Sequence, residues 1–208
     1  MSESTGPRQG PVGAGLRTTG GTVSFTASVA EVSHQLIAAS ALTDANRPID
    51  LAALSRPKAT PEIAFILRGA ISGVPTIASV LAATEVVVGV VTVSDQVSGQ
   101  TDGAAPDTVR IVLGPRAVPP GELEDLRLLG CVLRINGEVT ATSAAAAAMG
   151  HPAAAVACLV DRLANCGNDP GPGWLLCSGP LMAPVDLSSG TAVTAEFDGL
   201  GTIDFSCV

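Results

Sequence analysis

The chain has no tyrosine, one tryptophan and four phenylalanines, so aromatic residues make up 2% of its 208 positions. That shortage argues against a platform that stacks nucleobases. Positive charge is scarce too: 11 Lys+Arg stand against 19 Asp+Glu, a net charge of −8. Neither nucleic acid nor an anionic membrane finds an electrostatic footprint here, and neither is expected as a partner. Apolar runs of membrane-spanning length are missing, because the longest candidates, 86–93 and 144–160, are broken by Gly, Thr, His or Pro. The sequence holds no HExxH, GxSxG, P-loop or GxGxxG. Its five cysteines, Cys131, Cys158, Cys166, Cys177 and Cys207, are odd in number and form no CxxC. They read as reduced core thiols rather than bridges or zinc ligands, which suits a cytoplasmic protein.

What remains is apolar and small. Hydrophobic residues are 47% and charged residues 14%, which excludes general disorder and leaves a core of Ala, Val, Leu and Ile. The length suits one domain. Residues 1–22 are rich in Gly, Ser, Thr and Pro without an apolar centre, and read as a disordered tail rather than a secretory signal. Ser28 and Glu31 form a capping-box pattern, and Val29, Val32, Leu36 and Ile37 fall at helical spacing, so a helix is expected to about Thr43. Residues 62–67 and 85–95 read as buried strands, with a helix over 74–84 between them. A polar loop over 96–107, a strand over 108–113 and a Pro-rich connection over 116–122 follow. Asn136-Gly137 marks a hairpin between 131–135 and 138–141. A helix over 152–165 and strands at 174–178, 191–197 and 202–207 complete a mixed α+β reading in which strands dominate.

Isolated chemistry is sparse. His34 falls in the expected first helix, and His151 stands between Gly150 and Pro152 at a helix start, able to cap backbone amides or to face a cleft. Lys58 is the only lysine, without a neighbourhood that suggests a lowered pKa. Glu62 opens an otherwise apolar strand, which a sheet-end charge explains as well as a catalytic one.

Several strings occur in a connected order: Thr60-Pro-Glu-Ile-Ala-Phe-Ile-Leu67, Val80-Leu-Ala-Ala-Thr84, Asn136-Gly-Glu138, Met149-Gly-His-Pro152, Leu176-Cys-Ser-Gly-Pro180 and Ala195-Glu-Phe-Asp-Gly-Leu-Gly-Thr-Ile203. Together they resemble the 2-keto-4-pentenoate hydratase / 4-oxalocrotonate decarboxylase family of the fumarylacetoacetate hydrolase superfamily, over roughly residues 61–207. The resemblance implies a curved, strand-rich α+β domain over 23–208 with one N-terminal helix. It also implies a Glu-x-Glu pair and a third Glu holding a divalent metal. On this chain those positions are Thr60, Glu62 and Thr92, so only Glu62 is a carboxylate. The family's block with a catalytic lysine, between the first helix and the segment at Pro61, is not found between Ile49 and Pro61. Of a later family segment, Asp-Asn-Ala-Ser, only Asp102 matches. Asp95 is the nearest substitute for the third ligand, but three residues from Thr92 it points to the opposite face of a regular strand.

The functions that follow differ in class. The first is a repurposed, metal-independent lyase or cyclase of secondary metabolism, without cofactor, using Glu62, His151 or Asp95 as acid–base groups. Its substrate would be a small conjugated carbonyl metabolite, with contacts from Thr60, Thr92, Asp102 and Ser178. The alternatives are a conventional Mg²⁺-dependent hydratase or decarboxylase and a non-catalytic subunit. A homo-oligomer is expected, since loss of the block would bare apolar surface.

Overall fold

A computed structural model describes residues 19–25, 32–95, 103–104 and 109–208. The strands are β1 (Thr19–Phe25), β2 (Val32–Ala38), β3 (Leu42–Asp44), β4 (Pro57–Leu67), β5 (Thr84–Asp95), β6 (Gly103–Ala104), β7 (Arg110–Val118), β8 (Gly130–Ile135), β9 (Glu138–Ala144), β10 (Leu175–Pro180), β11 (Val185–Asp186), β12 (Ala192–Phe197) and β13 (Gly201–Ser206). Among the described residues two α-helices, α1 (Ile77–Ala83) and α2 (Pro152–Asn165), join them. Among the described residues no helix is long and apolar enough to cross a membrane.

The mixed, strand-rich reading holds, but the expected N-terminal helix does not. Val32–Ala38 is a strand, paired antiparallel with β1 from Thr19↔Ala38 to Phe25↔Val32. Val32, Leu36 and Ile37 satisfy a helical period, yet in so short a segment the available partner strand outweighs local propensity. The capping-box residues Ser28 and Glu31 lie outside the described residues, as do 1–18 of the expected tail. Thr19 to Thr22 of that tail belong to β1. Strand β7 also runs on to Val118, through the start of the expected Pro-rich connection. A capping box on Thr76 and Ser79 starts α1 at Ile77, so the helix expected from 74 begins three residues later, beyond Pro75.

A nine-stranded sheet runs in the order β3-β7-β5-β4-β10-β1-β2-β6, with β11 also on β4. Near its two ends lie β2 and β3, separated in the chain by a single 3₁₀ turn, Ala39–Ala41. So short a link holds both ends close together, which requires the sheet to curl on itself. The packing agrees. One apolar cluster unites Ile37 of β2, Ala64 and Ile66 of β4, Val88 and Val90 of β5, Ile111 and Leu113 of β7, and Leu175 and Cys177 of β10. Only a concave face brings those five strands to one cluster.

The opposite, convex face carries Ile63, Phe65, Val87, Val91 and Leu176, and packs against α2 and a second sheet ordered β13-β12-β8-β9. Gly89 shows how close the two sheets come: a Cβ there would lie 2.7 Å from the Phe197 ring.

A candidate active site on the inner wall of the sheet

Alternation along a strand assigns the site's members. On β4, Ala59, Ile63, Phe65 and Leu67 belong to the convex cluster and Ala64 and Ile66 to the concave one. Thr60 and Glu62, in phase with Ala64, therefore point inward. On β5, Val88 and Val90 are inward, and Thr92 follows them. Thr60 pairs with Thr92, and Glu62 with Val90. The three residues that align with the family's metal ligands thus form one patch, Glu62 lying diagonal to Thr92 at ~7–8 Å between backbones. All are buried: Thr60 is 9% exposed, Thr92 6% and Glu62 3%.

A bulge orients the carboxylate. Cys177 pairs with Ala64 and Pro180 with Glu62, so Ser178 and Gly179 together stand opposite Ile63. Gly179 has φ +81°, a conformation that favours glycine. Its N–H turns inward and donates to Glu62 Oε2 at 3.1 Å. The bulge would leave the Ile63 N–H without a ladder partner, and Ser178 Oγ accepts it at 3.2 Å while donating to the Gly179 carbonyl at 3.1 Å. Ser178, expected to touch substrate, is fully buried and holds the bulge that positions Glu62. Beside it stands Cys177, whose thiol is pushed well above its ordinary pKa by burial and, secondarily, by the Glu62 charge. Cys177 is a free, buried thiol, as expected, and the bulge has one signal in the sequence, a Gly beside an apolar strand.

Thr92 has a different property. Its Oγ1 is buried and has no hydrogen-bond partner among the described residues. Buried hydroxyls are nearly always paired, so an unpaired one on an inward wall beside a carboxylate has a hydrogen bond to offer to a water or to another molecule.

Two expected acid–base residues lie elsewhere. Asp95 pairs with Pro57, five residues along β4 from Glu62, or roughly 16 Å at strand rise. Its carboxylate accepts the N–H groups of Ser55 at 2.9 Å and Arg56 at 2.6 Å, clamping the segment that leads into β4. His151 caps α2, Nδ1 accepting the Ala153 N–H at 3.0 Å. That helix packs on the convex face, so the sheet separates His151 from the inner wall. The charges that act on His151 are Asp125 and Arg127, while burial, the largest influence, lowers its pKa. Asp125 is itself held at about 2 by its hydrogen bonds with Arg127. Asp102 lies outside the described residues.

Among the described residues, the donor set on the inner wall does not suit a hard divalent cation, which takes several carboxylate, carbonyl or water oxygens. Among the described residues the patch offers one carboxylate, with Oε2 engaged by Gly179, to one side of two neutral hydroxyls that face each other across β4 and β5. Among the described residues no three His, Cys, Asp or Glu side chains converge.

No family model matches the chain. It is 33% identical over 165 residues to the 4-oxalocrotonate decarboxylase of Pseudomonas sp. (strain CF600), covering 74% of this chain and 61% of that protein. It is 32% identical over 166 residues to the 2-keto-4-pentenoate hydratase of Burkholderia vietnamiensis (strain G4 / LMG 22486), covering 75% and 62%. The chain thus spans less than two thirds of the length of these curated relatives. Among solved structures, the 4-oxalocrotonate decarboxylase from Pseudomonas putida G7 complexed with magnesium and adipate matches with a TM-score of 0.82. At 26% identity it covers 91% of this chain and 78% of that one.

Proposed function

The chain belongs to the 2-keto-4-pentenoate hydratase / 4-oxalocrotonate decarboxylase family of the fumarylacetoacetate hydrolase superfamily, and from that premise we propose that it is a metal-independent lyase- or cyclase-type enzyme working by acid–base catalysis. Its substrate is a small conjugated carbonyl metabolite of a biosynthetic pathway. The carrying observation is the inner-wall patch of one carboxylate, held by a backbone N–H, beside a buried hydroxyl without a partner.

In this reading Glu62 takes a proton from a nucleophilic O–H or C–H of the substrate, and the freed electron pair forms a bond to the β-carbon of the conjugated carbonyl. Charge moves onto the carbonyl oxygen, where the Thr92 hydroxyl donates a hydrogen bond. Glu62 then returns the proton to the α-carbon, so atoms and charge balance with no co-reactant. Elimination runs the same steps in reverse, Glu62 taking the α-proton and handing it to the group that leaves the β-carbon. In decarboxylation the C–C bond to a substrate carboxylate breaks, CO₂ departs, and the enolate takes a proton from protonated Glu62, which water then reprotonates. General acid–base groups contribute about 10²–10⁴ in rate. Glu62→Gln keeps an acceptor for the Gly179 N–H but cannot take the proton. Turnover should fall at least about a hundredfold with thermal stability nearly unchanged, and full activity in that variant refutes the proposal.

A conventional metal-dependent hydratase or decarboxylase is the second reading, favoured by the magnesium in the Pseudomonas putida relative. Calorimetry with Mg²⁺ on the unmodified chain separates the two, tight binding supporting the second. Self-association belongs to the same proposal, supported by exposed apolar side chains at Val74 and Leu128. A monomeric mass in solution at micromolar concentration overturns that part.

A further inference from the structure

We infer that the inner-wall site takes an uncharged, largely apolar substrate through a neutral carbonyl or hydroxyl oxygen, rather than the carboxylate head of a 2-oxo acid. The inference rests on the acid–base reading, names the substrate class for the same site, and narrows that reading to conjugate addition or elimination, since decarboxylation needs a carboxylate on the substrate. Three observations carry it. The wall around the patch is hydrocarbon: Ala64, Ile66, Val88, Val90, Ile111 and Leu113 share the concave cluster. Its unpartnered polar atom is Thr92 Oγ1, a neutral group able to make one hydrogen bond to a ligand oxygen. The strands that build the patch, β4, β5 and β10, contribute a single basic residue, Lys58. It lies in phase with Thr60 but at the outer end of β4, its Nζ 3.1 Å from Asp186 Oδ1 on the neighbouring β11.

An anionic head seated here would leave water for a hydrocarbon wall. It would gain one neutral hydrogen bond in return, on a wall that already carries the Glu62 carboxylate, while Lys58 sits at the strand end paired with the exposed Asp186. Desolvating a carboxylate costs far more than such a bond gives back. A ketone, enone, lactone or hydroxyl oxygen costs little to desolvate and is fully served by Thr92. The rest of the molecule then meets side chains of its own polarity.

The test is titration calorimetry of the full chain with two inert probes of equal length, 2-octanone and 2-oxooctanoate, each with and without Mg²⁺. Binding of the ketone at least about tenfold tighter than the oxo acid is expected, with the ketone's affinity lowered at least about tenfold by Thr92→Val. Mg²⁺ should change neither. Equal or tighter binding of the oxo acid overturns the inference, and so does failure of the ketone to bind or insensitivity to Thr92→Val. Failure here is distinguishable from failure of the acid–base reading. That reading falls if Glu62→Gln keeps its turnover, whichever probe binds. The substrate class falls on the probe order alone, whatever Glu62→Gln does.

Discussion

Replacing Thr92 by Val is expected to make the protein more stable and less able to bind. The two side chains have the same branched shape and the same preference for strands, so the backbone of β5 and its pairings with Thr60 and Ile111 are preserved. What changes is one atom. Thr92 Oγ1 is buried without a partner, so the folded state carries a desolvation penalty that the unfolded chain, hydrated at this hydroxyl, does not. Such a penalty is about 1–3 kcal/mol. The methyl that replaces the hydroxyl meets the apolar wall formed by Val90 and Ile111 and adds a small burial gain. In a protein of this size each kcal/mol moves the melting temperature by about 2–4 °C. Differential scanning calorimetry without ligand should therefore read a rise of roughly 2–12 °C. Most substitutions destabilise, so a rise at a buried polar position is a sharp signature of a group kept for a ligand. An unchanged or lower melting temperature would mean that the hydroxyl is satisfied in the resting protein, and the reasoning that makes it a ligand contact would be wrong.

Ser178→Ala should behave in the opposite way. It removes the acceptor of the Ile63 N–H inside the sheet, costing about 1–3 kcal/mol, and chemical denaturation should show the loss together with reduced turnover as Glu62 loses its fixed orientation. Ser178→Thr, which keeps the acceptor, should recover much of both. His151 makes stability depend on pH. Because burial lowers its folded-state pKa below the ordinary value of about 6.5, the unfolded chain binds the proton first as pH falls. Its contribution is full above about pH 6.5 and is lost as pH drops from there through the lowered folded pKa. Melting curves between pH 7.5 and 5 should show that slope, and His151→Asn, which can still cap α2, should flatten it. The double change Thr60→Glu and Thr92→Glu should create measurable Mg²⁺ affinity, because it would place three carboxylates on one inward patch; calorimetry reading no heat would mean that the three side chains do not share a face.

Some of this was fixed by composition and local pattern alone. Pro152 at the start of α2, Gly167 after its end and the apolar stripe between them specify that helix without help from the rest of the chain. Asn136-Gly137 specifies the turn between β8 and β9 because both residues adopt positive φ there. The valine run of β5 can only be a buried strand. The connected motifs were enough to identify the family, and alternation along β4 was enough to put Thr60 and Glu62 on one face. Val32–Ala38 was beyond that kind of reading, because its apolar residues fit a helix and a strand equally and a partner strand decides between them. So were the fates of Asp95 and His151. Both have the right chemistry for a site, but which face of the sheet a side chain reaches, and which amide claims it, depends on residues far away in sequence. The bulge at Ser178-Gly179 is the clearest case: its hydrogen bonds cross to β4 over more than a hundred residues, and while alternation alone turns Glu62 to the inner wall, they fix where its carboxylate sits there.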